Sequence, residues 1–222
     1  MKRKLWRLLL TLRVRLMDRH RHRQLVLEHV DGVPLVVLPQ VFNPKLLRSG
    51  EFLVRQLARA DLLRPSSRVL DLGSGSGAGA VAAAKAGCQV VAVDINPDAV
   101  RCTRINALLN LVEHRVDPRQ GDLFAPVSGE RFDVVLFNPP YYRGTPRDDG
   151  DRAWRSPDVI ERFAAGLGDH LTPEGHALLV LSSDGESNSF LSALEARGFN
   201  NRPVAHRDFV NEQMWVYQVA RC

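Results

Sequence analysis

A chain of 222 residues, 45% apolar and 25% charged, is long enough for one domain with a substantial core plus a short extension. Cys88, Cys102 and Cys222 have neither pairing nor metal-ligand spacing, which argues against a disulfide framework or a zinc site and for a reducing, cytoplasmic setting. The net charge of +5 is uneven: residues 1–23 hold nine Lys/Arg against Asp18 alone, leaving 21 basic and 24 acidic residues beyond them. The basic pI therefore belongs to an appendage and is weak ground for nucleic-acid binding by the main body.

In chain order, residues 1–23 read as a basic amphipathic arm, with Leu5, Leu8, Leu9, Leu12 and Leu16 at helical spacing. Packing on its own domain or on a partner subunit, a phosphate grip, an anionic-membrane contact and an Arg-rich transit segment all fit this pattern. The arm is too short and too charged to span a bilayer, and no other stretch has a transmembrane pattern. Residues 24–60 form a second unit. Two apolar runs flank a turn at Asp31-Gly32, and Val41-Phe42-Asn43-Pro44 leads to a helix near 50–60.

Residues 61–222 alternate strands with helices: strands at 68–71, 89–94, 113–120, 132–137 and 175–182, helices after 77 and at 97–109, 157–170 and 186–197. Two closing strands follow near 202–209 and 213–220. This alternation predicts an α/β fold with a mostly parallel sheet and helices on both faces. Residues 141–154 are too polar and broken for a regular element; a lid over substrate and a solvated connection both fit. Ser182-Ser183-Asp184-Gly185 reads as a helix-start turn, and Trp215 as core. The histidines are scattered, so no metal site is expected.

Ligand-binding residues are expected where strands end. In Asp71-Leu72-Gly73-Ser74-Gly75-Ser76-Gly77 the glycines let a ligand approach the backbone as the strand turns into a helix. Gly73, Gly75 and Ala78 also satisfy a dinucleotide fingerprint, but a carboxylate at Asp71 suits a cationic cofactor better than a pyrophosphate. Asp94 closes a strand, where it can accept both hydroxyls of a ribose or cap the next helix. Asp122 can accept from an adenine amine or serve as an ordinary turn residue. Asn138-Pro139-Pro140-Tyr141 follows the run 132–137 and sets an amide, two stiff prolines and an aromatic ring at a strand end. The Asn138 oxygen and the Pro139 carbonyl can accept two N–H groups of a planar nitrogen while Tyr141 stacks on it.

These motifs in this order resemble a class I S-adenosylmethionine-dependent methyltransferase over roughly residues 40–220. The resemblance implies a Rossmann-like seven-stranded sheet with the last strand antiparallel. It implies that Gly73, Gly75 and Gly77 approach the methionine part of the cofactor, that Asp94 binds the ribose and Asp122 the adenine, and that Asn138 with Tyr141 grips the target nitrogen. Asn-Pro-Pro-Tyr resembles the motif of enzymes acting on glutamine, adenine N6 or cytosine N4. The segment from Val41 resembles the one that HemK-like protein glutamine methyltransferases place over the cofactor. Two departures stand out: Ser49-Gly50-Glu51 replaces the usual Asp-Thr, and the helical substrate domain of the bacterial enzymes is missing. The expected activity is methylation of a protein glutamine, as in release factors, with a small partner subunit as in compact relatives. Two other readings are a nucleic-acid base methyltransferase (RNA or DNA), which draws on the basic arm and on Arg143, Arg147, Arg152 and Arg155, and a cofactor-binding scaffold for a partner. The same planar-nitrogen site could also serve a small molecule.

Overall fold

The computed structural model describes residues 24–45, 48–59, 62–146, 154–209 and 212–222. The basic arm lies outside them, as do residues 147–153 of the expected loop. The chain opens with a hairpin, β1 (Val26–Val30) and β2 (Val33–Val37), paired Val30 to Val33. Asp31 and Gly32, at φ +50° and +79°, supply the two left-handed residues that match a hairpin's twist. Helix α1 (Ser49–Leu57) buries Phe52, Leu53, Val54 and Leu57, each stabilising its seat by roughly 1.5–3 kcal/mol.

The central sheet takes β3 (Arg68–Leu72), β4 (Gln89–Asp94), β5 (Val116–Gln120), β6 (Phe132–Phe137), β9 (Leu171–Ser182), β10 (Phe199–Asp208) and β11 (Gln213–Arg221) in the order β10-β11-β9-β6-β3-β4-β5. Only β11 runs antiparallel to its neighbours. The strands read as continuous apolar runs because both faces are covered. Val69, Val134 and Leu136 pack with α1 and with α2 (Ala78–Lys85), and Leu70, Val135 and Phe137 with α4 (Val159–His170) and α5 (Ser187–Glu195). Helix α3 (Pro97–Leu109) begins at Asn96, whose side chain accepts from the Asp98 amide.

Chain order runs outward from β3 through β4 to β5, then returns to β6 on the other side of β3. The helices after β3 and β6 therefore lie on opposite faces and leave a crevice at the carboxyl ends of these strands.

Several local expectations shift. Glu113–Arg115 is a 3-10 turn, and β5 starts only at Val116. Leu111 at φ +58° ends the helix, and Val112 is drawn back to the Ala107 carbonyl. Strand β9 starts at Leu171 and interrupts its pairing with β6 before His176, where Thr172 Oγ1 donates to Asp133. The loop after Asn138-Pro139-Pro140 is partly regular, since β7 (Tyr142–Arg143) pairs with β8 (Arg155–Ser156). Trp215 is half-buried and stacks on His206 at 4.9 Å, because Met214 and Val216 on either side take the core-facing positions. Among the described residues, no helix is long and apolar enough to cross a membrane.

Candidate active site

Register sets the geometry. Leu72 pairs with Val93 on one side and with Phe137 on the other. The next residues, Gly73, Asp94 and Asn138, therefore stand at one level at the carboxyl end of the sheet and line a single cavity of about 560 Å³ with Gly75 and Asp122. That volume suits a small ligand.

Gly73 and Gly75 have φ of +63° and +53°, the left-handed region that favours glycine. A Cβ on Gly75 would sit 3.2 Å from the Phe42 Cβ, so the turn and the segment before α1 close on each other with no room to spare. Phe42 also meets Trp154 at 6.1 Å. Gly77 plays a different part. It does not line the cavity, and a Cβ there would lie 2.8 Å from Thr103 Oγ1 on α3.

The Asp71 carboxylate lies one layer below the cavity and does not line it. Its Oδ2 accepts the Ala80 amide hydrogen at 2.8 Å, satisfying a free donor of the first turn of α2. Burial pushes this carboxyl up to about 7, against the Ala80 hydrogen bond and with help from the nearby Asp94 charge.

Asp94 Oδ2 accepts from the Gly75 amide at 2.8 Å and Oδ1 from the Asn96 amide at 2.9 Å. Burial raises its pKa, and these hydrogen bonds oppose the rise. Each oxygen keeps a lone pair for a further donor. Asp122 is held from across the cavity by Arg162 of α4 at 2.8 Å, and Arg162 also reaches Asp158 at 3.6 Å.

At the end of β6 the Asn138 amide is held at both ends. Its Nδ2 donates to Ser49 Oγ at 3.0 Å, and its Oδ1 accepts from the Tyr141 hydroxyl at 3.2 Å. Pro139 is buried beneath the turn. Tyr141 does not line the cavity; its hydroxyl meets Asn138, and burial raises the pKa of its phenol. Arg143, one of the expected base readers, is paired with Glu161 at 2.7 Å and Glu186 at 3.4 Å, whereas Arg155 lines the cavity. Arg147 and Arg152 lie outside the described residues. Arg162 and the Asn138 contact of Ser49 had no mark in the sequence. Among the described residues no group of three or more His, Cys, Asp or Glu could hold a metal.

Residues 32–205 match the family described as "Methyltransferase small domain". The chain belongs to this family. The methyltransferase is 31% identical over 203 residues to a Methanocaldococcus jannaschii protein named "Putative protein N5-glutamine methyltransferase", covering 86% of this chain and 98% of that one. It is 37% identical over 121 residues to the release factor glutamine methyltransferase of Escherichia coli, covering 51% of this chain but only 42% of that enzyme. Among solved structures it is similar to the E. cuniculi Mtq2–Trm112 complex, described as responsible for methylation of the eRF1 translation termination factor. That match has a TM-score of 0.61 and 24% identity, over 82% of this chain and 99% of that one. The resemblance read from the motifs to HemK-like methyltransferases is thus borne out, and so is the seven-stranded fold.

Proposed function

We propose that this methyltransferase moves a methyl group from S-adenosylmethionine to the side-chain amide nitrogen of a protein glutamine, in the manner of a release-factor enzyme. The observation that carries this reading is the Asn138 amide at the cavity wall, fixed at both ends beside Gly73 and Asp94. The names of the relatives point to the same substrate class. The cavity fits the cofactor: Gly73 and Gly75 offer bare backbone to its methionine part, Asp94 can accept from the ribose hydroxyls, and Asp122, in the same lining, can accept from the adenine amine. Asp71 and Gly77 act from behind, by shaping the turn. When bound, the cofactor supplies an electrophilic sulfonium methyl.

The chain's own task is to prepare a poor nucleophile, since an amide lone pair is delocalised into its carbonyl. The Asn138 oxygen and the Pro139 carbonyl accept the two N–H groups, localise the lone pair and aim it at the methyl. The nitrogen's extra proton leaves along one of these hydrogen bonds and passes on to solvent. Tyr141 orients Asn138 through its hydroxyl, and stacking on the target would require its ring to turn toward the cavity. Orientation and exclusion of water supply the acceleration, without a strong general base. The free Cys88, Cys102 and Cys222 suit a reducing cytoplasm. Residues 24–60 serve as the unit that covers the cofactor. Leu108, Leu109 and Leu111, exposed at 53, 45 and 78% beside edge strand β5, offer apolar surface for a small partner subunit.

The test is transfer of labelled methyl into a release factor carrying its glutamine loop and, separately, into RNA. We expect protease-sensitive label on glutamine. Asn138→Ala should lower kcat by about 10²–10³-fold while cofactor affinity stays within about threefold. Label removed by nuclease alone would overturn the glutamine reading in favour of a base methyltransferase, with the nine basic residues of 1–23 as its phosphate grip. Transfer that needs an added subunit and is unaffected by Asn138→Ala would favour the scaffold reading.

A further inference from the structure

We infer that Ser49 is a positioning residue that holds the Asn138 amide in its working plane and ties that amide to the covering helix α1. This rests on the reading of Asn138 as the acceptor for the target nitrogen. Ser49 is the first residue of α1, is 1% exposed, and reaches across 89 residues of sequence to take the Asn138 Nδ2 hydrogen at 3.0 Å. Its place is set by packing on both sides. Phe52, Leu53, Val54 and Leu57 anchor α1 in the core, and at Gly50 a Cβ would lie 2.6 Å from the Pro44 Cβ, so the helix start is pressed onto the preceding loop.

An amide side chain has two ends of nearly equal shape and opposite function: its oxygen accepts, its NH2 donates. A target nitrogen that presents N–H groups needs the oxygen. With Ser49 in place both ends of Asn138 are engaged and the oxygen keeps one lone pair for the target. Without the hydroxyl only the Tyr141 contact is left, and a single hydrogen bond at one end does not fix the plane of the amide. The amide would then be free to turn over, and its NH2 would oppose the target's own hydrogens. The same hydrogen bond makes a seated α1 a condition for an ordered Asn138, so covering the cofactor and preparing the acceptor become one event.

The test uses the full chain as Ser49→Ala and Ser49→Thr, the second keeping the hydroxyl. With ¹⁵N-asparagine labelling, the Asn138 side-chain NH2 pair, assigned by its disappearance in Asn138→Ala, should exchange slowly in the native protein and in Ser49→Thr. It should collapse toward free-amide behaviour in Ser49→Ala. In methyl transfer, Ser49→Ala should lower kcat by about tenfold with KM for the target and cofactor affinity little changed, and Ser49→Thr should restore most of the loss. An unchanged amide pair in Ser49→Ala overturns the inference. So does a kcat loss matched by equal losses of cofactor affinity and Tm, which would mark Ser49 as merely structural. Loss of the amide pair in Ser49→Thr at unchanged Tm overturns it too, since the hydroxyl would not be what matters. If the native protein methylates no glutamine, the functional reading fails by itself, while the amide resonance still decides the role of Ser49.

Discussion

The Asp94 carboxylate is joined to the Gly75 amide at 2.8 Å while its second oxygen takes the Asn96 amide at 2.9 Å. One side chain thus ties the end of β4 to the glycine turn after β3 and to the start of α3. It shapes the turn and lines the cavity at once. Charge-assisted hydrogen bonds of this kind are worth about 1.5–3 kcal/mol. Asp94→Ala should therefore weaken S-adenosylmethionine binding by about 10- to 100-fold in calorimetry. An unchanged affinity would remove Asp94 from the cofactor site.

Asp71 has a consequence for stability. Burial raises its pKa to about 7 from an ordinary 3.8. Between these values the folded chain keeps a proton that the unfolded chain has lost, so the contribution is fully present below about pH 4 and is lost as pH rises through about 7. The slope is about 1.4 kcal/mol per pH unit at most. Asp71→Asn removes the titration and keeps an oxygen for the Ala80 amide. The stability of the native protein relative to Asp71→Asn should fall by a few kcal/mol between pH 4 and pH 8 in urea titrations. A flat difference across that range would mean that Asp71 is ionised throughout.

Much of this arrangement was legible in the chain because a sheet covered on both faces demands uninterrupted apolar runs, and Val90-Val91-Ala92-Val93 and Val134-Val135-Leu136-Phe137 supply them. The ends of those runs, at Asp94 and Asn138, then marked the cavity. The direction of Asp71 was recoverable too. Val69 shares its face of β3 and packs in the core with α2, so strand alternation turns the Asp71 carboxylate under that helix and away from the cavity. The partners of Ser49 and Arg162 were not recoverable. Their contacts span 89 and 40 residues of sequence, and tertiary packing alone brings them together.

Arg162 is the group that holds Asp122 in place, and the pair is half exposed, with side-chain accessibilities of 42 and 47%. Such a pair contributes less than about 1 kcal/mol to stability. Its effect should appear in binding, because an unheld Asp122 would have to be ordered to take the adenine amine as proposed. Arg162→Met should raise the cofactor Kd by about three- to tenfold and leave Tm nearly unchanged. A normal Kd in this variant beside a raised one in Asp122→Ala would mean that Asp122 holds its own position.

Gly77 and Gly129 share a φ of +79° and differ in what surrounds them. A Cβ on Gly129 meets nothing within 4 Å, whereas on Gly77 it would lie 2.8 Å from Thr103 Oγ1 and 2.9 Å from Thr103 Cα and Cγ2. Alanine at either position carries the same left-handed backbone strain, about 1–2 kcal/mol. Only at Gly77 does crowding add to it, by a further 1–3 kcal/mol or so. Thr103 has little freedom to yield: it is fully buried, and its hydroxyl lies 3.2 Å from Ser74 Oγ. Gly77→Ala should therefore destabilise the protein about twice as much as Gly129→Ala or more. Trimming the methyl in Gly77→Ala/Thr103→Ser should recover only part of the difference, since the Thr103 Cα is backbone and stays at 2.9 Å. Full recovery to the Gly129→Ala level would locate the clash in the methyl alone. Equal losses at the two glycines would show that the approach of α3 to the turn is looser than these distances require.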